Sequence, residues 1–161
     1  MYYIDYHTHP ISHGEDEMKP YHNKELLRNF IRKAEEKNLQ EIGFSDHDEF
    51  ISNYNWDNLN DVINESKIKV KIGVEIDYIP SREKEIKQLL ASHRFDYVIG
   101  SVHKINGWSF DHHQYKDVYN EWNLIELYNK YFDYLKLLIK SDIYDIIGHI
   151  DLIKIFNNKI P

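Results

Sequence analysis

The sequence contains no cysteine, an absence that removes disulfides and thiolate metal sites together, so that any metal ion must be held by His, Asp or Glu. No apolar run approaches the roughly 18 residues of a membrane span, and no apolar leader core follows the N-terminus. The expected location is therefore the cytoplasm, with no membrane partner. Dense Lys/Arg blocks are also lacking, and the formal charge is -7. That balance argues against a nucleic-acid backbone or an anionic lipid surface as the main partner and leaves small or metal-screened substrates open. Repeats, Gly/Ser linkers and low-complexity tracts are missing too. What is present is a chain of 161 residues with 42% hydrophobic and 14% aromatic content, including 13 Tyr. This suffices for one compact domain with a real core and rarely for two, so residues 1–161 are expected to form a single domain.

Short β-branched runs alternate with longer helical patterns, which points to an α/β fold. Strands are expected near Tyr2–His7, Glu41–Ser45, Val70–Ile79, Asp96–His103 and Asp145–Ile150. Helices are read from apolar spacing, as in Leu26, Leu27, Phe30, Ile31 and Ala34, or Leu124, Leu127, Tyr128, Tyr131, Leu135 and Leu138. Ser81 is expected to cap SREKEIKQLLAS, whose first turn carries Glu83 and Glu85 where the helix dipole favours negative charge.

Residues of metal-ligand type fall at the C-terminal ends of these strands: HTH, SDH, GVEID, GSVH and GHID in order. In parallel α/β sheets and barrels that rim is where loops converge on active sites. His7 and His9, two positions apart, point to the same side of their strand and can grip one metal ion or two adjacent ones. A polar surface pair is the alternative. His13, in the following loop, can fold back to the same centre or stay solvated.

His47 follows the apolar strand EIGF, and Asp46 or Asp48 could hold its other ring nitrogen; otherwise Ser45 and Asp46 are a helix cap and His47 is incidental. Glu75 and Asp77 share one face of an apolar strand, where an unpaired carboxylate is costly. Either cations bridged by Glu75 or a salt bridge to Arg82 or a nearby Lys compensates them. His103 and His149 each end an apolar strand after a Gly that permits close backbone approach, and both are expected to be ligands. His22, His93 and His113 lack such placement and read as surface or structural residues. His112 lies on a loop from which it could reach a substrate.

The motifs DYHTH, GFSDH, GVEIDYIP, DYVIGSVHKINGWSFDHH and YDIIGHIDLIKIF resemble, in order, those of the polymerase and histidinol phosphatase (PHP) family, in its histidinol-phosphatase branch. The resemblance covers essentially the whole chain. It implies a distorted, incomplete (β/α) barrel with about five parallel strands and flanking helices. It further implies two to three divalent ions, zinc, iron or manganese, held by His7, His9, His13, His47, Glu75, His103 and His149. Glu75 would bridge two of them, and a metal-activated water would attack the phosphorus of L-histidinol phosphate or another small phosphorylated substrate. Asp77 could meet a cationic amine, and Arg82, Lys104 or His112 the phosphate or imidazole. Family members continue to a late Asp-x-His motif that this chain lacks before Pro161, and a barrel of this class takes about 200 to 250 residues. The expectation is a truncated domain with an open sheet edge suited to homo-oligomerisation. A PHP-type phosphodiesterase or nuclease, and a non-catalytic metal-binding remnant, are the competing expectations.

Overall fold

The computed structural model of the protein describes residues 2–11 and 22–156. Strand β1 spans Ile4–Thr8, helix α1 Lys24–Glu36, β2 Glu41–Phe44, α2 Trp56–Glu65, β3 Lys69–Asp77, α3 Glu83–Ser92 and β4 Tyr97–Ser101. A short hairpin, β5 Lys104–Ile105 and β6 Trp108–Ser109, precedes α4 Leu124–Lys140 and β7 Ile146–Ile147. The chain forms two compact units. One runs up to Glu75 and includes Phe95–Val98; the other comprises Ile76–Arg94 and the chain from Ile99 onward. Strands β3 and β4 contribute residues to both.

In the first unit the strands are ordered β1-β2-β3 and pair in parallel, as βα connections require. Asp96 accepts from the Ile72 amide at 2.8 Å and donates its own N–H to the Ile72 carbonyl, bringing the start of β4 beside β3. Leu27, Ile31 and Ala34 of α1 and Leu59 and Val62 of α2 are buried, together with Ile42, Phe44, Val70, Ile72 and Val74 from the strands. Asn23 caps α1 by accepting from the Leu26 amide, and Asn55 does the same for α2 with Asn58. Helix α1 ends where Asn38 turns left-handed at φ 57° and the Leu39 amide reaches back to the Ala34 carbonyl, a closure that satisfies the last carbonyls.

Tyr97 lies across β2 and β3, its hydroxyl donating to the Tyr6 carbonyl at 2.6 Å. A Cβ on Gly43 would stand 2.1 Å from the Tyr97 hydroxyl, and one on Gly73 2.3 Å from its ring. Only glycine lets the ring approach both strands. At the start of β2, Glu41 accepts from the hydroxyls of Tyr2 and Tyr6 and pairs with Lys69. These partners hold its carboxyl down to about 2.

The second unit is organised by α4, whose Leu127, Tyr128, Tyr131, Leu135 and Leu138 are buried, five of the six positions that the sequence periodicity selects. They pack with Tyr78, Val102, Ile105, Phe110, Tyr119 and Ile153. Asn123 caps this helix by accepting from the Ile125 and Glu126 amides. Strand β7 pairs in parallel with β4, Ile99 opposite Ile146 and Gly100 opposite Ile147; it is shorter than the expected Asp145–Ile150. The Ser81 cap does not form. Pro80–Arg82 makes a 3₁₀ turn first, and α3 then starts at Glu83 with no side-chain cap. The β5–β6 hairpin turns on Asn106 and Gly107, both at positive φ. An Asn-Gly pair between short apolar runs is the signature of such a turn.

Candidate metal centre

Strand β1 is not regular where it matters. Its pairing with β2 shifts register between Asp5 and Thr8, so three steps on β1 oppose two on β2. A bulge of this kind re-aims a side chain, and here it falls at Tyr6 and His7. The Asp5 carboxylate accepts from the His7 amide at 3.1 Å and so supports the turned backbone. Beyond it, the Ser45 amide bonds the Thr8 carbonyl and the Glu75 amide bonds the Asp46 carbonyl. His47 and Glu75 form the last bridge of this ladder.

The result within the first unit is a convergence on one oxygen. Oε2 of Glu75, a side chain with 0% exposure, is approached by His7 Nε2 at 3.1 Å, His47 Nδ1 at 3.2 Å and His9 Nε2 at 3.5 Å. His9 stacks on His47 with ring centroids 4.8 Å apart and meets His7 edge-on at 5.1 Å. Ligand atoms of His9, His47 and Glu75 all lie within 4.8 Å of one another. Burial pushes the His9 imidazole down to about 4, against the pull of Glu75. It is therefore neutral at physiological pH and offers a lone pair rather than a charge. A buried carboxylate faced by imidazole nitrogens, one of them held neutral, is a donor set that suits a divalent transition ion. The residues present fit a metal.

The second unit carries a separate group. The Asp77 carboxylate takes His103 Nδ1 on one oxygen and the Lys104 ammonium, at 2.8 Å, on the other. Burial alone would raise the Asp77 carboxyl; the His103 and Lys104 contacts outweigh it and bring it down to about 2. An ionised Asp77 can only accept, so His103 Nδ1 carries the proton and Nε2 is the ring nitrogen whose lone pair could serve a metal ion. This carboxylate–histidine arrangement is the usual support of a ligand imidazole. The His149 ring lies 5.0 Å from that of His103, and the Tyr131 hydroxyl, from the buried face of α4, anchors the His149 carbonyl at 2.8 Å. A Cβ on Gly148 would stand 2.1 Å from Ser101 Oγ, the close approach expected of that glycine.

Among the other expected residues, His13 lies outside the described residues. Asp46 does not hold His47: one carboxylate oxygen accepts from the Ile11 amide at 2.8 Å and the other meets His22 Nε2 at 2.7 Å. Of the surface and structural alternatives for His22 the structural one holds, since it is fully buried. Asp77 adopts the structural alternative of pairing with a nearby Lys. Arg82 donates to the Asp77 carbonyl and to the Glu85 carboxylate, while His112 is exposed and caps the 3₁₀ segment His113–Glu121 through Gln114. Asp111, not singled out from the sequence, has a carboxyl raised by burial and sits in the fields of His103 and His149. No local pattern announces it. Lys104 is seated by the β5–β6 hairpin, which the Asn-Gly pair could have revealed.

The chain matches the PHP domain family over residues 5–161. It is 37% identical over 95 residues to a probable histidinol-phosphatase of Deinococcus radiodurans, spanning 59% of this chain and 36% of that protein. To a histidinol-phosphatase of Lactococcus lactis it is 33% identical over 113 residues, spanning 63% of this chain and 39% of the relative. A solved histidinol phosphate phosphatase from Lactococcus lactis, complexed with zinc, L-histidinol and phosphate, superposes with a TM-score of 0.72 at 27% identity, covering 93% of this chain and 58% of that one. The chain thus spans under two fifths of the length of these two curated relatives. With the family match across both units and the expected parallel strands and flanking helices shared with that neighbour, the chain belongs to the PHP family and has its incomplete-barrel fold.

Proposed function

We propose that the protein is a metal-dependent phosphomonoesterase acting on L-histidinol phosphate, releasing L-histidinol and phosphate, and that both units belong to one PHP domain. The observation that carries the reading is the set of imidazoles gathered on the buried Glu75 oxygen, in a chain whose solved neighbour is complexed with zinc, L-histidinol and phosphate. His7, His9, His47 and Glu75, with His13, His103 and His149, would hold two to three ions of zinc, iron or manganese. When bound, such ions lower the pKa of water and neutralise phosphoryl oxygens in an in-line displacement.

The chain's own residues supply the rest. Glu75 provides fixed negative charge for the cations, and the low His9 pKa keeps that ring available as a neutral donor. Asp77 fixes the His103 tautomer and holds the Lys104 ammonium, from which Lys104 can meet a phosphate oxygen. Asp77 also presents negative charge suited to the substrate's amine, and Arg82 and His112 are further candidates for phosphate and imidazole. The acidic net charge favours a small substrate over a nucleic acid. No described helix is long and apolar enough to cross a membrane, and we place the protein in the cytoplasm. Exposed Ile150 and Ile155, which follow β7, suit self-association at that strand.

The test is zinc uptake by the metal-stripped protein, followed by phosphate release from L-histidinol phosphate and from a nucleotide diester, with Glu75→Gln as control. Release from the monoester alone, abolished by the substitution, is expected. Preferential diester cleavage would replace the reading with a phosphodiesterase. Zinc uptake with no release from either would leave a metal-binding domain only.

A further inference from the structure

Asp46 and His22 are both buried, at 1% and 0% exposure, yet neither belongs to the ligand set. A histidine and an aspartate enclosed in a core need a reason, because apolar side chains of similar volume would fill the space without burying polar atoms. The contacts of Asp46 supply one. Its Oδ1 accepts from the Ile11 amide at 2.8 Å, two residues past His9. Its Oδ2 meets His22 Nε2 at 2.7 Å. Its carbonyl accepts from the Glu75 amide at 3.1 Å and from the Tyr54 hydroxyl at 3.2 Å. Its own chain neighbour is His47. One residue therefore touches or adjoins each element that brings His9, His47 and Glu75 together.

His22 is held in turn. Its carbonyl accepts from the Asn58 side chain at 2.7 Å, and its ring packs edge-on against Tyr54 with centroids 4.5 Å apart. The Tyr54 hydroxyl shares its single proton between the Asp46 carbonyl and the Gly73 carbonyl, each at 3.2 Å, which ties the arrangement to β3 two residues before Glu75. Among the described residues His22 Nδ1 has no hydrogen-bond partner. The imidazole thus contributes through Nε2, as donor to a carboxylate that can only accept.

We propose that the His22–Asp46 pair is a positioning device for the metal-ligand cluster of the first unit: His22 orients the Asp46 carboxylate, and Asp46 sets where His9, His47 and Glu75 stand. The inference rests on the metal-centre reading above. Ligand groups must be held to within about 0.5 Å to bind tightly, and loss of an outer partner typically weakens metal affinity by about 10- to 100-fold. A pair that merely filled the core would change stability and leave affinity alone.

The deciding experiment measures the zinc dissociation constant by competition with a chelator, alongside thermal unfolding of the zinc-free protein, for wild type, Asp46→Asn, His22→Phe and His22→Gln. Asp46→Asn and His22→Phe are expected to weaken zinc binding at least about tenfold. His22→Gln, which retains an N–H donor, is expected to recover most of that loss. Unchanged affinity in folded Asp46→Asn or His22→Phe, with only a lowered melting temperature, overturns the proposal. So does a loss in His22→Gln as large as in His22→Phe. If His22→Phe does not fold, Asp46→Asn against His22→Gln decides by the same two constants. A wild type that takes up no zinc overturns the metal reading and this inference with it, whereas equal binding by wild type and variants overturns this inference alone.

Discussion

The Tyr97 crossing gives the sharpest test of how the strands beside the Glu75 cluster are held. Replacing Gly43 by Ala would put a methyl carbon 2.1 Å from the Tyr97 hydroxyl, 2.7 Å from Cζ and 2.9 Å from Cε1. Van der Waals contact requires about 3.4 Å or more, so the ring must retreat by more than about 1 Å. It has little room to do so, being 6% exposed, and retreat stretches the 2.6 Å bond to the Tyr6 carbonyl, one residue before His7. Overpacking of a core costs about 1–3 kcal/mol, and a lost buried hydrogen bond adds about 1 kcal/mol. Reduced freedom of the unfolded chain returns about 0.4–1 kcal/mol. The expected net destabilisation is therefore about 1–3.5 kcal/mol, or roughly 2–14 °C in melting temperature for a chain of this size. Thermal and urea unfolding of the metal-stripped protein measure it. The cause is isolated by repeating the substitution in a Tyr97→Ala background, where Gly43→Ala should cost less than about 0.5 kcal/mol or even stabilise. An equal cost in both backgrounds, or no cost in the wild type, would refute the role assigned to the ring.

Asp77→Asn should weaken zinc binding by about 10- to 100-fold, because His103 exchanges an accept-only carboxylate for a neutral amide that can pair with either ring tautomer; chelator competition reads this, and an unchanged constant removes His103 from the ligand set. Acid stability follows from two depressed carboxyls. The groups hold fewer protons folded than unfolded between their ordinary pKa and about 2, so their contribution is complete above about pH 4.5 and is lost as pH falls toward 2. For the mostly buried Asp77 this amounts to about 2 kcal/mol, and Glu41→Gln should visibly flatten the acid limb of a stability-pH curve. Asn123→Ala removes the acceptor for two amides at the start of α4 and should cost about 1 kcal/mol in urea unfolding; a neutral result would show that solvent caps that end equally well.

Local chemistry made much of this protein legible from residue order alone. Alternation along β1 predicts that His7 and His9 turn to one side, and both reach the same Glu75 oxygen. The 3.6-residue spacing from Leu124 to Leu138 predicts the buried face of α4 at every position but Leu124. Such signals depend on neighbours within a turn or two, which a one-dimensional reading contains. The placement of metal-ligand residue types at strand ends is legible for the same reason, since strand and following loop are contiguous. Where Ser81 was expected to cap α3, Pro80 set the backbone first, and the helix began one step later.

Partner choice was decided elsewhere. Asp46 stands beside His47 in the chain, but its carboxylate is taken by His22, 24 positions away, and by Ile11, 35 positions away. Asp77 is claimed by His103, 26 residues on. The bulge between Asp5 and Thr8 arises only when β1 is laid against β2. A carboxylate bonds whichever donor the fold leaves within reach once water is excluded, and that depends on register and burial rather than on adjacency. Residue order therefore determined which groups could ligate a metal and on which strand ends they stand; tertiary packing alone determined which carboxylate supports which imidazole, because desolvation forces every enclosed polar atom to take the partner that packing brings to it.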